Sequence, residues 1–127
     1  MGRSEVKEWF SKAEKDFDEA IFLFNNDRPL EHVAFFLQQS IEKYLKGFLI
    51  GKGCELEKTH DLVKLIKEAS SFDGSLEKFT SLMRDIASYY IESRYPIGLL
   101  VEYDRDEMQE SLESTQAFID ILKRRIS

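Results

Sequence analysis

The sequence is poor in the residues that staple small domains together. It has one cysteine, Cys54, which excludes an intrachain disulfide and fits a reducing compartment. With that cysteine and two histidines, His32 and His60, it offers no zinc-type ligand spacing, so no metal or other cofactor is expected. Long apolar runs are missing. The longest, Val33 to Leu37 and Ile97 to Val101, are far too short to span a bilayer. No apolar segment follows a basic start, so no signal peptide is expected. Positive charge is also short: the net charge of -6 argues against a protein that coats DNA. These absences together predict a cytoplasmic domain with no membrane role.

What is present suffices for a core. Apolar residues make up 43% of 127 positions and ten are Phe, so one globular domain over residues 1–127 can fold without metal or disulfide. The periodicity is helical nearly throughout. Val6, Trp9, Phe10, Ala13, Phe17, Ala20, Ile21 and Phe24 make one apolar face of a first helix, with Ser4 as its expected N-cap. Asn25-Asn26-Asp27 ends it. Pro29 suits the first turn of a second helix, running to about Ile50, where Gly51 and Gly53 supply the stop. Val33 to Leu37 is apolar all round, which predicts a central helix or one shared with a second subunit.

A third helix is expected from about Thr59, carrying Leu62, Leu65, Ile66 and Ala69, with Thr59 as cap and Asp61 in its first turn. A fourth should be capped by Ser75 and carry Leu76, Phe79, Met83, Ile86 and Tyr90. It must end before Pro96, and a loop from about Ser93 to Tyr103 follows. The fifth opens at Asp104 with Glu107 three residues on, a capping-box pattern. Met108, Leu112, Thr115, Ile119, Leu122 and Ile126 then form a bundle seam. The fold class is all-α, an up-and-down bundle of four to five antiparallel helices.

Three segments can carry chemistry. In Gln39 to Lys46, helical spacing brings Gln39, Glu42 and Lys46 toward one face, with Lys43 beside it. The strip can meet phosphate or a partner helix, or Glu42 and Lys46 can simply be a surface pair worth about 0.3–0.5 kcal/mol. In Lys58-Thr59-His60-Asp61-Leu62, capping explains Thr59 and Asp61 and leaves His60 as a proton carrier or a backbone partner. In Arg94-Tyr95-Pro96, the guanidinium suits phosphate and the aromatic rings nearby suit bases; the other reading pairs Arg94 with Glu92 or Glu102. Lys43, Lys46, Lys52, Lys58, Lys64 and Lys67 make the stretch from 42 to 67 mildly basic.

Two further signals are set aside. Gly51-Lys52-Gly53 lacks the rest of a phosphate loop. The acidic run Glu102, Asp104, Asp106, Glu107, Glu110 and Glu113 reads as a solvated helix start rather than a cation site.

Taken in order, Gln39-Ser40-Ile41-Glu42-Lys43-Tyr44-Leu45-Lys46, Lys58-Thr59-His60-Asp61-Leu62 and Arg94-Tyr95-Pro96 resemble the HEPN family over nearly the whole chain. The resemblance implies a bundle of four or five helices, commonly a homodimer. It also implies association with a minimal nucleotidyltransferase, sometimes as a toxin–antitoxin pair. Its nucleotide, RNA or partner contacts would fall on Gln39, Lys43, Lys46, Lys58, His60, Arg94 and Tyr95.

Ribonuclease members carry an Arg and a His with four to six residues between them, near the start of the last helix. Neither Arg94 nor Arg105 is followed by a histidine, and Arg28 and His32 stand too close together and at the other end. The expectation is therefore a non-catalytic module. One alternative is a ribonuclease using an unconventional His60 and Arg94 pair. Another is a structural homodimer with no ligand.

Overall fold

The computed structural model describes residues 3–94 and 103–126, with side chains in the first span up to residue 89. Among the described residues the helical periodicity becomes five α-helices: α1 over Arg3–Asn25, α2 over Leu30–Gly51, α3 over Leu62–Phe72, α4 over Thr80–Arg94 and α5 over Arg105–Ile126. There is no strand among them, and the all-α expectation holds. No helix among the described residues is long and apolar enough to cross a membrane. The apolar run Ile97 to Val101, most of the expected loop and the side chain of Tyr90 lie outside the described residues.

The apolar block at the start of α2 makes it the central helix, and α2 packs against all four others. Val33, Ala34, Leu37, Ile41, Leu45 and Phe48 are fully buried. The block is not buried all round: Phe35 is 41% exposed. Helices α1 and α2 run antiparallel and very close. Gly47 makes this possible, since a Cβ there would stand 2.9 Å from atoms of both Trp9 and Phe10. The Phe10 ring meets Tyr44 edge-on at 5.0 Å. Gly53, at φ 92, takes the left-handed turn that ends α2. The amide of Cys54 then returns to the Leu49 carbonyl.

Helix α4 pairs antiparallel with α5. The Phe79 and Phe118 rings meet at one end and the Tyr89 and Ser111 hydroxyls at the other. Helices α3 and α4 form a hairpin, so the chain reverses through the short helical turn Gly74–Phe79.

Four helix starts differ from expectation for physical reasons. Ser4 is already inside α1, which begins at Arg3. Pro29 sits at the N-cap of α2 rather than in its first turn. Asp61 caps α3, accepting from the amides of Val63 and Lys64. Thr59 instead accepts from the Asp61 amide, so the two residues divide one job between adjacent turns. Asp73 displaces Ser75 as cap of the 3-10 turn, because its carboxylate takes both the Ser75 amide and the Ser75 hydroxyl. At α5, Asp104 caps through the Asp106 amide, as the sequence predicts.

Candidate functional site

The segment between α2 and α3 does not leave the bundle. It runs back along α2 from Gly51, so His60 arrives beside Gln38 and Glu42 in the middle of that helix. Here the polar strip of α2 is buried. Glu42 and Lys46 are 5% and 7% exposed, which rules out the surface-pair reading. The Lys46 ammonium donates to Glu42 Oε2 at 2.8 Å. The Gln38 amide donates to Glu42 Oε1 at 3.2 Å and reaches toward the His60 carbonyl at 3.5 Å. His60 Nδ1 lies 3.0 and 3.1 Å from the two oxygens of the same carboxylate. The side chain of His60 is 58% exposed. The arrangement is a buried anion braced on two sides by its own helix and orienting a half-exposed imidazole on the third.

Such a cluster is costly. Each ion taken from water loses several kcal/mol of solvation, and the pairing roughly returns it. Apolar residues of similar volume would hold these helices at least as well. What the ion pair adds is a fixed acceptor for His60 Nδ1, which sets the tautomer and the direction of the ring. Gln38 Oε1 is buried and has no partner, a second sign that the cluster is not optimised for stability alone.

The other expected residues fall as follows. Lys43 is paired with Asp16 of α1, so its ammonium ties two helices together. Gln39 is half-buried on α2, one position away from the residue that enters the cluster. Lys58 is exposed on the returning segment and makes no ion pair among the described residues. Arg94 closes α4 with its side chain outside the described residues, and Tyr95 lies outside them entirely. The expected pairing of Arg94 with Glu92 or Glu102 falls outside them too.

Arg105, at the start of the last helix, is committed elsewhere. It lies 4.0 Å from the Phe24 ring, donates to the Phe24 carbonyl at 3.1 Å and pairs with Asp27 at 3.3 Å. It thus closes the C-terminus of α1, and Asp27 takes φ 54 beside it. Arg28 and His32 are exposed at the α1–α2 corner.

Sequence reasoning missed Gln38 and the central place of Glu42. The signal was the spacing of four from Gln38 to Glu42 and again to Lys46, a better match to one helix face than the spacing from Gln39. Near the cluster, Glu57 of the returning segment faces Glu68 of α3. Burial, the charge of this neighbour and a hydrogen bond to it raise the Glu68 carboxyl above its ordinary range. No group of three or more His, Cys, Asp or Glu stands together as metal ligands among the described residues.

Fold and cluster together define a small helical-bundle domain with an oriented histidine on its flank. The family model for the HEPN domain matches residues 6–126, and the chain belongs to the HEPN family. No curated protein and no solved structure matches it.

Proposed function

We propose that this chain is a non-catalytic HEPN module that binds a nucleotide or RNA through His60, forms a homodimer and associates with a minimal nucleotidyltransferase. The observation that carries the ligand part is the His60 imidazole, half-exposed and held through Nδ1 by the buried Glu42 carboxylate. A ring fixed in this way is held in one orientation, which lowers the entropy lost on binding. The lysines contribute less than the sequence suggests, because Lys43 and Lys46 are engaged by carboxylates. The absence of histidine after Arg94 and Arg105 supports binding without cleavage. Exposed Phe22 and Phe35 support self-association, as apolar rings left in water favour a partner.

Calorimetric titration with AMP and a short RNA tests the ligand. Binding is expected in wild type and lost in His60→Ala. Co-purification with the product of the adjacent reading frame tests the partner. A stable pair with a small nucleotidyltransferase is expected, and a lone chain contradicts it.

A second reading has its own observation. A carboxylate-oriented histidine is the arrangement of a general base, and Arg94 would be its phosphate-binding partner in this reading. RNA cleavage by clean protein, lost in both His60→Ala and Arg94→Ala, would establish it over the first.

A further inference from the structure

The segment that returns from α2 to α3 is lightly tied. Its ends are anchored by the Cys54 amide on the Leu49 carbonyl and by Thr59, which accepts from the Asp61 amide. Between them, residues 55–58 make no backbone hydrogen bond to any described residue. Leu56 is 48% exposed, so apolar burial holds it little. What fastens the middle of the segment is Glu57. Its Oε1 meets the Lys64 ammonium of α3 at 3.4 Å, but Lys64 is 54% exposed and such a pair contributes little. Its Oε2 is buried and has no hydrogen-bond partner among the described residues.

A buried carboxylate oxygen without a donor costs free energy. The group set against Glu57 is a second carboxyl, that of Glu68, one turn after Lys64 on α3. With both ionised, the two repel and Oε2 stays unsatisfied. One proton removes both costs, because a neutral Glu68 carboxyl can donate its O–H to Glu57. The raised Glu68 carboxyl agrees with this. Glu57 from the segment and Lys64 from α3 itself are the charged groups that act on Glu68. Helices α2 and α4 and the 3-10 turn, which also pack against α3, bring none to bear on it.

We infer that Glu57 and Glu68 form a proton-shared clasp, closed in acid, that fastens the segment carrying His60 to α3 and releases it as pH rises. In the closed form the proton sits on Glu68 and bridges to Glu57 Oε2. On opening it passes to solvent, and Lys64 alone is left to hold Glu57. A carboxyl raised in the folded state adds stability that is complete below its unfolded value of 4.5 and is lost as pH rises through the folded one. His60 lies three residues from Glu57, so its seat on Glu42 depends on a proton held elsewhere. The clasp is independent of what His60 binds.

The test follows amide exchange of Cys54 and Asp61 in the full chain from about pH 4 to about pH 7, corrected for the intrinsic rate at each pH. Wild type is compared with Glu68→Gln, which keeps a donor to Glu57 at every pH, and Glu68→Ala, which keeps none. Glu68 is half-buried on the helix surface, so the fold is retained, and circular dichroism checks it. Every other titratable group is common to the three chains, so the ratio of protection to that in Glu68→Gln isolates the clasp. For wild type this ratio should be level in acid and fall as pH rises, about tenfold for each unit by which the Glu68 value is raised. For Glu68→Ala it should be low throughout.

A wild-type ratio that stays flat, or that falls toward acid, overturns the clasp. So does a Glu68→Ala chain as well protected as Glu68→Gln, since a donor to Glu57 would then hold nothing. The carboxyl carbon resonances of Glu57 and Glu68 give a second reading. Both should move together in one titration of wild type, and two independent titrations overturn the shared proton.

Discussion

Removing one member of the Glu42–Lys46 pair and removing both have opposite consequences. Glu42→Ala leaves the Lys46 ammonium buried without its counter-ion, which costs about 3–5 kcal/mol. The double variant Glu42→Leu/Lys46→Met replaces both charges with apolar groups and should recover most of that loss in urea unfolding. A single variant as stable as wild type would show that the pair is not desolvated. The recovered double variant also separates stability from function, since His60 then has no carboxylate to orient it and ligand binding should fall. Asp73 gives a residue-scale prediction of another kind. The hydroxyl and amide of Ser75, and then Arg125 at 2.6 Å, hold its carboxyl below the ordinary value of 3.8. A depressed carboxyl stabilises the folded state above the unfolded value and loses that contribution as pH falls through the folded one. Wild type should therefore lose stability below about pH 4 more steeply than Asp73→Asn, read as melting temperature against pH.

Elements were legible where periodicity is strict, and less so where the chain only carries them into place. All five α-helices follow from apolar residues at three- and four-residue spacing, and α5 begins one residue after its expected cap. Starts went astray where two capping residues lie close together, as with Thr59 and Asp61 or Asp73 and Ser75. Local sequence offers both, and the carboxylate is the stronger acceptor. The candidate site was half legible. Its residues on α2 share a face, but the return of His60 to that face depends on an aperiodic segment whose path no spacing rule encodes. That burial also turned the Glu42–Lys46 pair from a weak surface contact into the centre of the site. Gly47 is the element-scale test. Gly47→Ala adds a methyl where Trp9 and Phe10 already stand at contact, so α1 and α2 must part. A loss of about 1–3 kcal/mol is expected by denaturant unfolding, with the secondary structure retained. An unchanged midpoint would mean the two helices are not so close.

At the scale of the whole molecule, the exposed rings are what a monomer leaves unexplained. Phe22 is 60% and Phe72 49% exposed, and Phe35 stands edge-on to Phe36 at 5.2 Å. Sedimentation at micromolar concentration should give a dimer, and Phe35→Glu should shift it toward monomer. A wild type that sediments only as a monomer contradicts the self-association. The acidic bulk of the chain makes any RNA binding dependent on local cations and therefore sensitive to salt.

The most direct test is nuclear magnetic resonance of the His60 ring nitrogens during titration with AMP. In free wild type, Nδ1 should carry the proton that Glu42 accepts, and added AMP should shift the Nε2 signal saturably with no cleavage of RNA in parallel samples. A ring whose signals ignore the nucleotide, or whose Nδ1 proton is absent, would contradict the account.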